Sequence, residues 1–287
     1  MLSKVFSSII NQDNLTTLSC DATVQEATQA MKDHGATLIC EREGVEGIFT
    51  EQDLLYKVLA RGKDPLETAV SEVMSPSPQH IDVNDDLICA LQMMNGSGLH
   101  HLPVLDGTSV LGIISIKDIY HSALIQLKED LENLFASDAF LQKVVPRLIK
   151  NQNPIILNPS ESIQSVVTKM AKHEQGTTII ENDNQLMGIF TEHDLAYKVV
   201  AKKMSLTTTS VGEVMTVGPD TIGLEATMID IVKTMHAGNY RHLPAHDGYK
   251  VHGIVSIEDL YKILGVEMEK DFARALSDRN NRWAFGV

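Results

Sequence analysis

The segment GIFTEQDLLYKVLA at residues 47–60 returns as GIFTEHDLAYKVVA at residues 188–201 with three substitutions. The same offset of 141 residues carries Met74 onto Met215, Pro103 onto Pro244, Gly112 onto Gly253 and Asp118 onto Asp259. Half of the chain therefore duplicates the other half, and such a repeat fixes the architecture before any motif is interpreted. A weaker repeat lies inside each half. GIFTEQD (47–53) resembles GIISIKD (112–118), and GIFTEHD (188–194) resembles GIVSIED (253–259), so the chain holds four copies of one unit.

Each copy opens with a β-branched or apolar segment, such as IDVND at 81–85 or IILNP at 155–159. An amphipathic helix follows, clearest where Met228, Ile231, Val232 and Met235 recur at i, i+3, i+4 and i+7. Two short strands come next, as in HLPVL (101–105) and VLGIIS (110–115) around the turn pair Asp106-Gly107. A second helix then begins at the T/S-x-x-D and buries Leu54, Leu55, Val58 and Leu59 in the first copy.

The order β-α-β-β-α predicts an α/β (α+β) fold. A unit of about 55 to 60 residues is too small to cover both faces of its own sheet, so the units must pair. The expected divisions are an N-terminal helical segment 1–13, units at 14–68 and 69–127, a linker helix 128–150, units at 151–207 and 208–265, and a helical tail 266–287. The stretch MLSKVFSSII reads as a packed helix, not a targeting peptide, for want of arginine and a small-residue cleavage site.

At 287 residues and 43% apolar content, the chain can bury a core in each half. No apolar run approaches the roughly 18 residues of a membrane span. Cys20, Cys40 and Cys89 form no CxxC pair, which fits a reducing, cytoplasmic setting. A formal net charge of -14 disfavours nucleic acid or an anionic membrane as a general partner, so an anionic ligand needs a local positive site. No GxSxG, P-loop, GxGxxG or HExxH occurs, and no enzyme activity is expected. His236, His242 and His246 lack a carboxylate or cysteine at ligand spacing, and no metal site is expected. Met93, Met94, Met170 and Met235 fall on the amphipathic helices, where packing is the ordinary role of methionine.

Four times the sequence shows glycine, two apolar residues, a hydroxyl residue and, three further on, Asp: Thr50/Asp53, Ser115/Asp118, Thr191/Asp194 and Ser256/Asp259. One role for this pattern is a capping box with Asp in the place of Glu or Gln. The other is ligand binding. Free amides and the helix dipole favour a phosphate at a helix start, and an Asp one turn in can accept hydrogen bonds from the vicinal hydroxyls of a ribose.

With H-L-P at 101–103 and 242–244 and E-V-M-(S/T) at 72–75 and 213–216, the four copies resemble CBS (cystathionine β-synthase) motifs, and each half resembles a tandem pair, or Bateman module. The resemblance spans about residues 5–265. It implies a module that binds adenosine-containing ligands in the cleft between paired units, and a duplicated chain whose halves form a pseudo-twofold disc. By the same resemblance, Thr50, Ser115, Thr191 and Ser256 would touch phosphate, and Asp53, Asp118, Asp194 and Asp259 would touch ribose, with the adenine between apolar side chains.

Charge separates the four sites. Lys117 adds a cation at the second and His193 is a candidate at the third, whereas Glu51 with Gln52 and Ile257 with Glu258 add none. His100, His101, Arg241 and His242 are further phosphate candidates, with strand-edge solvation as their other role. The second site is thus expected to bind polyphosphate best. The implied ligand is an adenine nucleotide (AMP, ADP or ATP), with magnesium as an admissible companion and no required cofactor. S-adenosylmethionine, NAD and a structural module with vestigial pockets are the alternatives. An unknown protein would be regulated in trans, by a monomer with an internal pseudo-dimer or by a homodimer joined through 128–148 and 266–283.

Overall fold

The computed structural model describes residues 10, 17–31, 34–41, 44–85, 87–116, 118–119, 144–149, 153–238 and 240–260. Lys117, the tail 266–287, the segment 1–13 apart from Ile10 and the linker 128–150 apart from residues 144–149 lie outside them. The first sheet has strands β1 (Thr17–Leu18), β2 (Ala36–Glu41), β3 (Gly44–Thr50) and β4 (Ser75–Pro76) in that order. β1 runs parallel to β2, and the other two pairs are antiparallel. The second sheet orders β5 (Ile81–Asp82), β6 (His101–Asp106) and β7 (Ser109–Ser115). The second half repeats both: β8 (Ile156–Leu157), β9 (Thr177–Asn182), β10 (Gln185–Thr191) and β11 (Thr216–Val217) form one sheet, and β12 (Ile222–Gly223), β13 (His242–His246) and β14 (Val251–Ser256) the other. Ser75–Pro76 follows the division expected at residue 69 yet completes the sheet of the first unit, so consecutive units interlock at the E-V-M-(S/T) junction.

The turns follow from local chemistry. Gly107 takes a φ of 59° after Asp106, and the β9–β10 turn sets Asp183 and Asn184 at 50° and 61°, left-handed values that Asn and Asp tolerate. The helices are α1 (Val24–Met31), α2 (Glu51–Asp53), α3 (Leu87–Ser97), α4 (Val145–Ile149), α5 (Ile163–His173), α6 (Glu192–Asp194), α7 (Val211–Val214) and α8 (Met228–Gly238). After the T/S-x-x-D the expected helix is not regular. α2 and α6 pass directly into wider π-helical segments, Leu54–Val58 and Leu195–Val200.

Strand alternation explains how four units pair. On β2 and β3, Leu38 and Ile48 face the second sheet of the same half, with Val110 and Ile113 packed against them. Their neighbours Ile39 and Phe49 face the other way, into a core shared with Phe190, Met170 and Val167 of the second half. The sheet pairing thus builds each half, and the helices join the halves. Gln25 and Gln29 of α1 add hydrogen bonds to the Ala201 carbonyl across that seam, both at 3.4 Å. A matching core joins the second and fourth units through Leu102, Met94, Leu243 and Met235, and takes in Ile10 and Val145. The fold is therefore the α/β arrangement of paired units that the repeat predicts.

Equivalent glycines are not equally replaceable. A Cβ on Gly47 would press on the mobile end of Met74, whereas one on Gly188 would come within 2.7 Å of the Thr216 carbonyl oxygen. Gly188→Ala is therefore expected to cost about 1–3 kcal/mol and more than Gly47→Ala. Thermal denaturation of the two variants side by side checks the order.

Candidate functional site

All four T/S-x-x-D pairs close into the same knot. The Thr50 amide and hydroxyl both donate to Asp53 Oδ2 at 2.9 Å, and the Asp53 amide donates back to Thr50 Oγ1 at 3.3 Å. Ser115 with Asp118, Thr191 with Asp194 and Ser256 with Asp259 repeat it, with hydroxyl-to-carboxylate distances of 2.7, 3.0 and 2.8 Å. The next amide is spoken for as well. That of Glu51 donates to Gly35, Ile116 to His100, Glu192 to Gly176 and Ile257 to Arg241. Three of the amides at each helix start are thus taken, by the Asp carboxylate, by a backbone carbonyl and by the motif's own hydroxyl, which narrows what a phosphate could use there.

Among the described residues the four Asp side chains differ in their partners. Asp53 Oδ1 is held by Lys57 Nζ at 2.7 Å and by the Ser75 hydroxyl at 3.2 Å. Asp194 Oδ1 is held in the same way by Lys198 at 2.7 Å and Thr216 at 3.1 Å. In these two units both carboxylate oxygens are committed. No such partner reaches Oδ1 of Asp118 or Asp259 among the described residues. Sequence reasoning missed these clamps, although Lys57 returns as Lys198 inside the longest repeat and Ser75 as Thr216 at the junction.

At the centre, where the two halves meet, Glu51 is 5% exposed. Arg241 Nη2 donates to its Oε2 at 2.8 Å, and His193 Nδ1 lies 2.9 Å from its Oε1. Burial raises the Glu51 carboxyl, but Arg241 and then His193 outweigh that and hold it at about 2. The His193 ring also packs on Tyr197, with centroids 4.4 Å apart. Glu192, the equivalent of Glu51, makes no ion pair among the described residues, and Arg241 acts on it only at longer range. Burial pushes its carboxyl up to about 8, and the charge of Glu51 adds to the effect. Burial also lowers His101 to about 4 and His242 to about 3. Both rings are therefore neutral at pH 7, so neither brings a phosphate a positive charge. His101 Nε2 sits 2.8 Å from the His34 carbonyl, which can only accept, so that nitrogen carries the proton.

Two clefts open onto this centre. The first, about 450 Å³, is lined by Thr50 and Asp53, with Ile48, Tyr56 and Leu99 among its apolar walls. The second, about 340 Å³, brings Ser115 and Asp118 together with Thr191 and Asp194. His100, His101, His193, Arg241 and His242 line both. Ser256 and Asp259 line neither, and Lys117 lies outside the described residues. Among the described residues no group of His, Cys, Asp or Glu could hold a metal ion, and no helix is long and apolar enough to cross a membrane.

Comparison with known proteins places this geometry in context. A family model for the CBS domain matches residues 7–60, 70–124, 148–201 and 211–266. The Arabidopsis thaliana CBS domain-containing protein CBSCBSPB3 is 28% identical over 230 residues, 71% of this chain and 41% of that protein. The chain thus spans less than half the length of this curated relative. CBS domain-containing protein YhcV of Bacillus subtilis is 34% identical over 107 residues, 37% of this chain and 76% of its own. Among solved structures, protein MJ1225 of Methanocaldococcus jannaschii superposes with a TM-score of 0.69 at 16% identity, covering 90% of this chain and 99% of that one.

Proposed function

This chain belongs to the CBS domain family, with four matched copies, and from that premise we propose that it is a regulatory protein that binds an adenosine-containing nucleotide in the second cleft and acts on a separate partner. The observation that carries this reading is the state of Asp118. It lines the cleft, its Oδ2 closes the helix cap, and its Oδ1 is uncommitted among the described residues, so a ribose hydroxyl can donate to it without displacing any of them. At Asp53 and Asp194 a ribose would first have to displace a lysine and a hydroxyl.

Ile116, Ile189, Ile257 and Tyr240 supply an apolar wall of the kind an adenine ring packs on, and Arg241 lies on the same cleft for the phosphate. The size of the cleft, about 340 Å³, is within the range of small-molecule sites. AMP, ADP and ATP suit a single guanidinium best; S-adenosylmethionine and NAD remain competitors for the same ribose contact. Asp118→Ala is expected to weaken nucleotide binding by about one to two decades, the loss of a charge-assisted hydrogen bond of roughly 1.5–3 kcal/mol. Isothermal titration of the wild type and the variant checks it, and equal affinities would remove Asp118 from the site.

The closure of all four motifs into capping boxes favours a second reading, in which they serve the fold alone and the chain is an interaction module. A thermal-shift series with AMP, ADP, ATP, NAD and S-adenosylmethionine separates the two. Stabilisation by none of them at millimolar concentration selects the second.

A further inference from the structure

The two clefts share Arg241. Among the described residues lining either of them, Arg241 is the sole lysine or arginine. Its side chain is 33% exposed and lines both clefts, yet its guanidinium is already in use. Glu51, projecting from the opposite half and 5% exposed, engages Arg241 with one oxygen at 2.8 Å and His193 with the other at 2.9 Å. A carboxylate that spends one oxygen on a guanidinium and one on an imidazole fills the place a phosphate group would take. We propose that Glu51 is a resident anion of the nucleotide site, competing with the phosphates of a bound ligand for Arg241 and His193.

This inference rests on the nucleotide reading and adds to it a means of control. The lock exists once, not twice. At the equivalent place in the other half the arginine is replaced by His100, whose Nε2 lies 3.5 Å from Glu258, and the equivalent carboxylate, Glu192, has no hydrogen-bond or ion-pair partner among the described residues. Glu51 and Arg241 also belong to the first and fourth units, so a phosphate that takes the guanidinium releases an ion pair joining the two halves. Occupancy of the cleft is then coupled to the seam between the halves. The competition further sets a threshold by charge: a ligand without phosphate leaves the pair intact, whereas a polyphosphate brings more negative charge to Arg241 than one carboxylate does.

The test is calorimetric titration of the full chain, wild type and Glu51→Gln, with adenosine, AMP, ATP and inorganic pyrophosphate. Removing the competing charge is expected to tighten AMP, ATP and pyrophosphate by roughly tenfold, the equivalent of one charge-assisted hydrogen bond no longer contested. Adenosine affinity should stay as it is, and adding Arg241→Gln should abolish the gain. Phosphate compounds bound no more tightly by Glu51→Gln than by the wild type, or a gain shared equally by adenosine, would overturn the proposal. Failure of every adenosine compound while pyrophosphate still gains tenfold would sink the nucleotide reading and leave the competition standing. Should Glu51→Gln not fold, Glu51→Asp, whose carboxylate is drawn back by one methylene, is expected to show a smaller gain in the same direction, and no gain there counts against the proposal.

Discussion

Phe190→Ala is expected to lower the stability of both halves of the molecule together, by about 3–5 kcal/mol. Phe190 is fully buried and lies in the core that also holds Phe49, Leu54 and Met31 of the first half. Removing its ring takes apolar area out of a region built from both halves, and the surrounding strands and helices can refill only part of the space. A loss of that size is a large share of the total stability of a domain. Urea unfolding followed by far-UV circular dichroism should show one transition in the wild type and one shifted transition in the variant. Two transitions, of which only the second half's moves, would mean that the halves fold independently and that the shared core contributes little.

A stability optimum near pH 6.5 is the second expected result, and its sign follows from the groups at the centre. Glu192 has a folded pKa of about 8 against an ordinary 4.5, so between those values the folded state holds a proton that the unfolded chain releases. Its contribution is fully present below 4.5 and is lost as the pH rises through 8. His101 and His242, at about 4 and about 3 against an ordinary 6.5, act in the opposite sense. They favour the fold above 6.5 and disfavour it as the pH falls. From 8 down to 6.5 the Glu192 contribution grows unopposed, and from 6.5 to 4.5 the two histidines outweigh it. Below 4.5 the Glu51 carboxylate, held at about 2, begins to lose its own contribution.

Each such proton is worth at most about 1.4 kcal/mol per pH unit. Water in the cleft reduces that figure for these partly exposed side chains. Chemical unfolding between pH 4 and 8.5 gives the curve, and Glu192→Gln should remove the decline above 6.5. A wild type whose stability is flat from 6.5 to 8 would show that Glu192 titrates normally.

Much of the fold was legible because its cause is periodic. The repeat gave four units, and the Asp106-Gly107 pair placed a hairpin. The hydroxyl and Asp of each motif were equally visible, and both of their suggested roles begin from the same contact. What could not be read was the competition for those atoms. Lys57 reaches Asp53 through a helical turn, but Ser75 reaches it from a strand 22 residues on, and no local pattern shows that the two converge on one oxygen. The meeting of Glu51 with Arg241, 190 residues apart, is more distant still. Along the chain Glu51 only adds no cation to the first site, and Arg241 is a phosphate candidate with strand-edge solvation as its other role, whereas folding turns the two into one ion pair. His101 and His242 looked basic for the same reason: their residue type is local, but the burial that discharges them is not.

The single Glu51–Arg241 pair shows what joining two similar halves in one chain permits. In an assembly of two identical subunits, every residue near the twofold axis meets its own copy or is repeated across it, so two carboxylates would approach as equals and neither could be favoured. Here the copies have diverged: one carboxylate is ionised against a guanidinium, and the other is driven towards its protonated form by burial and by the charge of the first. Broken symmetry lets a single centre hold two acids of opposite tendency, a distinction two interchangeable subunits could not fix in their sequence.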